Sequence, residues 1–371
     1  MNSLERSLAV IEGHIPDRVP VCLLSFPNTA RHAGYSIGEF CLSGEKMAAA
    51  HLGYWEEFRH DMIQLENGIA ALAEAAGCAV EYADDEPPWV TRPAIRSLDE
   101  VERLREIDLQ SPAVAALLQA TALLAGKIGD SVCIRGDSDQ GPFSLASQIL
   151  GHEAFFFALM DPEQHARIHR LLEYSTEQVK RLARALSAAG SHFTVIGDSI
   201  AGPNVCSPGI YRQFAAPYER RAVESLRAEG IEMGTHICGN ATSIIRDMLS
   251  TGARCFELDY QIDRLAVREA TRGRATLIGT LDPSNLVPRG TPDEVAVKAR
   301  EDIRILAPGG RFILGAGCTI PRETPAANVR ALVRAAAECG IYRPDGTLAA
   351  EDRPTVKDFS GGKSYDWASR S

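Results

Sequence analysis

Short runs of β-branched and apolar residues recur along the chain, each closed by polar or glycine-containing turn chemistry. They are VPVCLL (19–24), DMIQL (61–65), VCIRG (132–136), FTVIGD (193–198), IEMGTHIC (231–238), RCFELD (254–259), ATLIG (275–279) and RFILG (311–315). Apolar runs of this length between turn signals predict strands. Longer stretches with helix start and stop signals lie between them. Asp161-Pro162 opens DPEQHARIHRLLEYSTEQVKRLARALSAAG, with Gln164 at the capping-box position and Gly190 as its stop; Thr291-Pro292-Asp293-Glu294 opens the helix before RFILG in the same way. Strands alternating with helices imply parallel βαβ units. Eight such strands predict an α/β fold, a (β/α)8 TIM barrel, with a doubly wound open sheet as the alternative.

The pattern places one barrel domain over 1–345, with inserted structure around 80–125, where EYADDEPPWVTRPAIRSLDE follows neither period, and a polar Gly/Ser/Asp-rich tail over 346–371. No internal repeat is evident, and GAGCTI (315–320) lacks the spacing of a dinucleotide or phosphate loop. The 49 acidic residues outnumber the 39 basic ones, giving a net charge of −10 that argues against nucleic acid and anionic membrane surfaces as partners. MNSLERSLAVIEGHIPDR has no signal-peptide pattern, and no uninterrupted apolar run reaches the roughly 18 residues of a membrane span. Nine cysteines, an odd number, then point to a reducing cytoplasm with thiols that are buried, reactive or metal-bound.

In such barrels the C-terminal strand ends form the active face. Polar residues collect there: Gln64 and Glu66, Arg135 and Asp137, Asp198, His236 and Cys238, Glu257 and Asp259, Asp282, and Cys318. His236 and Cys238 are two apart, so a strand presents both on one face. Cys318 follows the last strand in a glycine-rich loop, and strands five and eight end at opposite sides of one mouth. One histidine with two cysteines and an open fourth position is a catalytic zinc pattern.

The plainer readings differ residue by residue. A lone strand cysteine is usually a small buried hydrophobe, which is the expectation for Cys22, Cys78, Cys133, Cys206, Cys255 and Cys339; Cys41 is expected in a more exposed loop. His51, His60, His152, His165, His169 and His192 are expected at the surface. Asp198 and Asp259 are either solvated strand ends or catalytic groups. Glu257 shares a face with Asp259, so either could support His236 or act as a reserve metal ligand. Asp137 could be an N-cap, and Arg135 could pair with it or with an anionic substrate.

At these residues the chain resembles the uroporphyrinogen decarboxylase superfamily, and within it the corrinoid-dependent methyltransferases. The resemblance runs from about Arg18 to Cys339 and rests on HICGN (236–240), GAGCTIPRETPAANVRALV (315–333), SPGIYRQFAAPY (207–218), GPFSLASQIL (141–150) and ENGIAALAEAAGCAVEY (66–82). It implies a (β/α)8 barrel and zinc held by His236, Cys238 and Cys318. It also implies methyl transfer between a small methyl donor or acceptor and the cobalt of cobalamin on a separate corrinoid protein. Zinc would activate a substrate thiol such as coenzyme M, or, in the other direction, the oxygen of a methyl ether. Phe26, Trp89 and Phe143 would suit an aryl substrate and tilt the expectation towards demethylation; Phe26, Glu66, Arg135 and Phe143 are the substrate-side candidates. The metal-free decarboxylase branch relies on an arginine segment near the first strand. Here SFPNTARHAGYS retains only Arg31 with Ala33-Gly34, so a metal-free lyase is the alternative. A non-catalytic binder of a corrinoid or tetrapyrrole partner is a third reading.

Overall fold

The computed structural model describes residues 1–349 of the 371; of the tail expected over 346–371, residues 350–371 lie outside the described residues. The eight expected strands form one parallel sheet whose order follows the chain. They are β1 (Cys22–Leu23), β2 (Met62–Leu65), β3 (Cys133–Gln140), β4 (Phe193–Gly197), β5 (Met233–Ile237), β6 (Cys255–Leu258), β7 (Thr276–Leu281) and β8 (Phe312–Ala316). The sheet closes through a parallel bridge between Val21 and Leu314, where the Leu314 N–H donates to the Pro20 carbonyl at 2.9 Å. Closure makes this a (β/α)8 barrel and removes the open-sheet alternative.

Element bounds depart from the sequence pattern where backbone donors are diverted. β1 shrinks to two residues because Pro20 has no N–H to give and the Val19 N–H donates to Gly340 at 2.9 Å. β3 instead runs on to Gln140 through a register shift between Asp137 and Gln140, with Asp139 left-handed at φ 60. The Thr291 capping box with Glu294 forms as read. At Asp161 the chain first makes a 3-10 turn over Pro162–Gln164, and the long helix spans His165–Ala188. Between β2 and β3 lie an antiparallel hairpin of Ala79–Glu81 with Trp89–Arg92, a 3-10 turn over Leu98–Arg103 and the helix Pro112–Ile128.

Strand alternation stacks the barrel interior in layers. The lower layer is apolar: Cys22, Met62, Cys133, Phe193, Val195, Cys255, Ile278 and Ile313 pack together with Val10 and Ile11 of the N-terminal helix, Ser3–Glu12, which plugs the bottom. One step further along the same strands, the inward positions become Gln64, Arg135, His236 and Glu257. A water-excluding base beneath a polar mouth is thereby built into the register.

Four expectations are corrected. His51 and His60 are buried at 2% exposure each, and burial lowers their pKa values to about 3 and about 4, so both are neutral core residues. Cys41 ends the helix Ile37–Cys41 with no exposed surface, because that helix packs against the helices Phe26–His32, Gly44–Phe58 and Pro112–Ile128. Cys22, Cys78, Cys133, Cys206 and Cys255 are buried as expected, while Cys339 is partly exposed. Among the described residues no helix is long and apolar enough to cross a membrane.

Candidate metal centre

β5 ends at Ile237 and delivers His236 and Cys238 to the mouth; Cys318 arrives two residues beyond β8, where the Gly317 N–H donates to the Leu281 carbonyl at 2.7 Å. That turn passes close to its neighbour, since a Cβ at Gly317 would stand 2.6 Å from the Tyr260 nitrogen. One donor atom from each of His236, Cys238 and Cys318 lies within 4.8 Å of the others. The His236 Nε2 and Cys238 Sγ are 3.1 Å apart. Tetrahedral zinc, with bonds of about 2.0–2.3 Å, separates its ligand atoms by roughly 3.5 Å, so the set is close to the spacing a zinc ion needs. Among the described residues no carboxylate oxygen joins this group.

The imidazole is already oriented for that use. Its Nδ1 faces the Glu257 backbone carbonyl at 3.1 Å, an acceptor only, so Nδ1 donates and Nε2 is turned to the thiols. Zinc-bound histidines show this same arrangement. Burial works against a charged imidazole, yet the hydrogen bond and charge of Cys318, with Glu257, raise His236 to about 9. The Cys318 hydrogen bond lowers the Cys238 pKa, whereas its bond with Cys238 and burial push Cys318 up. The imidazole and the Cys318 thiol thus hold protons that a bound cation would displace. His236 is buried and both cysteines are partly exposed, which opens the sulfur side towards solvent.

Beneath this set lies a polar layer that is not fully paired. Arg135, with no exposed surface, donates through Nη2 to Glu257 Oε2 at 3.1 Å and stands 3.6 Å from Asp137 Oδ2. Its Nε and Nη1 have no partner, and neither do Glu257 Oε1 and Gln64 Oε1. Gln64 Nε2 donates to Glu66 Oε2 at 2.7 Å and lies 3.4 Å from Asp137 Oδ2. Burial, reinforced by the Asp137 charge, pushes Glu66 well above the usual carboxylate range; burial also raises Asp137 to about 6 despite Arg135. Asp137 Oδ1 accepts from the Asp139 N–H at 2.8 Å, a turn within β3 rather than a helix cap.

None of the remaining candidates among the described residues joins the donor group. Asp198 caps the helix Pro142–Leu150, accepting from Ser144 N–H at 2.7 Å and Phe143 N–H at 3.3 Å. Asp259 accepts from Gly239 N–H at 2.9 Å. Asp282 caps its own loop through Ser284 and Asn285. Phe143 is fully buried edge-on against Phe155, 5.0 Å between ring centres, and Phe26 stacks on Phe40 at 6.3 Å. Trp89 sits on the hairpin, 38% exposed. Phe26 and Phe143 thus pack against other aromatic rings, and Trp89 lies on the hairpin. The sequence reading passed over Glu219, fully buried and accepting from the Tyr211 hydroxyl at 2.7 Å, with burial and the Asp198 charge raising it to about 8. Helical periodicity in fact puts Glu219 on one stripe with Ala222, Val223 and Leu226, a signal that could have found it, and its neighbour there is Asp198 at the end of β4.

Comparison with known proteins agrees with this architecture. The chain is 28% identical over 338 residues to the methylcobamide:CoM methyltransferase MtbA of Methanosarcina acetivorans, covering 90% of this chain and 96% of that protein. It is 28% identical over 337 residues to MtaA of Methanosarcina barkeri, covering 89% and 96%. A uroporphyrinogen decarboxylase of Thermodesulfovibrio yellowstonii matches at 28% over 270 residues, covering 70% and 75%. A solved methyltransferase from Methanosarcina mazei superposes with a TM-score of 0.84 at 26% identity, covering 91% of this chain and 99% of that one. The family model for uroporphyrinogen decarboxylase (URO-D) matches residues 2–339, and the chain belongs to that family.

Proposed function

We propose that this protein is a zinc-dependent methyltransferase that joins a methyl group from the cobalt of a separate corrinoid protein to a substrate thiol. The observation that carries the reading is the convergence of His236, Cys238 and Cys318 at the barrel mouth, donor atoms within 4.8 Å. His236, Cys238 and Cys318 would hold the zinc, which would supply the Lewis acidity to keep a substrate thiol deprotonated. The chain's own residues supply the setting. The Glu257 carbonyl fixes the His236 tautomer, the partly exposed Cys238 and Cys318 leave the approach open, and the apolar layer below keeps water out from beneath. Glu66, which lies within the electrostatic reach of Cys318, and Arg135 are assigned to the body of a small substrate. The transfer forms a carbon–sulfur bond as the cobalt–carbon bond breaks, with the electron pair left on cobalt.

The thiol direction is favoured over ether demethylation because the methyltransferase relatives named above act at coenzyme M, and because Phe26 and Phe143 are core residues. The lyase alternative loses support from the electrostatics: Glu66, Asp137 and Glu257 surround Arg135, a poor receptor for a polyanionic porphyrinogen. Nine unpaired cysteines suit a reducing cytoplasm.

The test is metal content of wild type beside His236→Ala and Cys318→Ser, followed by methyl transfer from methylcobalamin to small thiols. About one zinc per chain, lost in both variants along with thiol methylation, is the expected result. Wild type without zinc, or variants that retain activity, would return the chain to the lyase reading. Turnover of methyl ethers but not thiols would reverse the direction.

A further inference from the structure

Cys238 is the first residue beyond β5, so no strand ladder holds it: the pairing of β5 with β6 ends at Ile237 opposite Leu258. A metal ligand on a free turn would wander, and ligand sets tolerate little displacement. Two neighbouring loops supply the missing restraint. The Gly239 N–H donates to Asp259 Oδ2 at 2.9 Å, and Asp259 Oδ1 accepts from the Gln261 N–H at 3.2 Å. The Asn240 N–H donates to Asn204 Oδ1 at 3.1 Å. Gly239 itself is left-handed at φ 78, and a Cβ there would stand 2.5 Å from the Asn204 side chain. Both amides that follow Cys238 are therefore tied to side chains that belong to other strand ends. Asp259 is 6% exposed, each of its oxygens accepts from a backbone amide, and neither oxygen joins the donor group of His236, Cys238 and Cys318.

We infer that Asp259, assisted by Asn204, is a positioning residue that holds the Cys238 thiol in register with His236 and Cys318, rather than a metal ligand or an acid–base group. The inference rests on the proposed metal site. It assigns the carboxylate at the end of β6 to the turn, and it explains why glycine stands at 239.

Zinc affinity by chelator competition, cobalt(II) absorption and zinc X-ray absorption on full-length Asp259→Ala, Asp259→Asn and Asn204→Ala test it. Asp259→Ala is expected to weaken zinc binding about 10–100-fold, the range seen on removing groups that orient ligands. The thiolate-to-cobalt bands should persist at saturating metal, and the thermal midpoint should stay close to wild type. Asp259→Asn keeps one acceptor for Gly239 and should recover part of the loss; Asn204→Ala should show a smaller loss. Wild-type affinity in Asp259→Ala overturns the inference. So does an oxygen scatterer present on wild-type zinc and missing in that variant, which would make Asp259 a ligand. If Asp259→Ala does not fold, wild-type affinity in both other variants overturns it equally. A wild type that binds no metal overturns the proposed function along with this inference, whereas unchanged variants beside a zinc-bound wild type overturn this inference alone.

Discussion

The barrel holds a buried arginine–carboxylate cluster at each end, and the two are finished differently. At the bottom, Asp61 is fully buried with both oxygens engaged. Oδ1 accepts from Ser3 at 2.9 Å, Arg6 Nη1 at 2.7 Å and Arg18 Nη2 at 2.9 Å, and Oδ2 accepts from Arg18 Nη1 at 2.7 Å and the Val21 N–H at 2.9 Å. Arg6 also clasps Asp17 through two bonds of 2.6 and 2.7 Å. At the mouth, Arg135 faces Glu66, Asp137 and Glu257 with two of its nitrogens unpartnered. The bottom cluster ties the N-terminal helix to the starts of β1 and β2 and leaves nothing over. The mouth leaves donors and acceptors uncommitted where a substrate arrives, which is how polar groups at functional sites differ from those that only hold a fold.

The largest expected effect follows from the bottom cluster. Asp61→Ala leaves Arg6 with Asp17 alone and Arg18 without a carboxylate, and should destabilise the protein by about 3–5 kcal/mol in denaturant unfolding, the usual result of removing one partner from a buried ion pair. A loss under about 1 kcal/mol would erase the distinction between the two ends.

Acid and alkali should separate them next. Asp17 is lowered to about 2: its burial opposes ionisation, but the Arg6 hydrogen bond and charge prevail. A depressed carboxylate contributes stability above its unfolded value near 3.8 and loses it as pH falls through about 2. Asp137 runs the other way. Raised to about 6, it contributes below 3.8 and that contribution is lost as pH rises through about 6. A shift of this size corresponds to roughly 2–3 kcal/mol. Asp137→Asn should accordingly flatten the stability profile between pH 4 and 7 as read from thermal midpoints, and leave the limb below pH 4 in place.

The mouth was far more legible in the sequence than the bottom. Strand periodicity fixed which residues point inward, so Gln64, Glu66, Arg135, Asp137, His236, Cys238, Glu257 and Asp259 could be assigned to one end from spacing alone. Cys318 needed only the additional premise of closure, which brings β8 round to β1. Asp61 could not be found that way. It precedes β2 in DMIQL and reads as strand punctuation, and its partners Arg6 and Arg18 lie 55 and 43 residues away. His51 lies on the helical stripe of Met47, Tyr54 and Phe58, so its spacing marked it as buried and only its residue type misled, whereas His60, past the end of that helix, had no period to place it. Asp198 was placed at the correct strand end, but whether its carboxylate faced the mouth or the Pro142–Leu150 helix depended on a contact 54 residues distant.

The smallest expected effect probes the mouth most directly. Burial and the Asp137 charge hold Glu66 well above the usual carboxylate range, and its Oε2 accepts from Gln64 Nε2 at 2.7 Å. Glutamine has nearly the same shape and still offers that acceptor. Glu66→Gln should therefore change folding stability by no more than about 1 kcal/mol, the ordinary range for a replacement that strands no buried charge. The corresponding loss of one carboxylate at the bottom, in Asp61→Asn, should cost more, because there every oxygen lone pair is met by a cation, a hydroxyl or an amide. If Glu66→Gln instead unfolded as readily as Asp61→Asn in the same denaturant series, Glu66 would have to be ionised against Arg135. The mouth would then be a structural ion cluster like the one below it, and the uncommitted groups beneath Cys318 would lose their claim to a substrate.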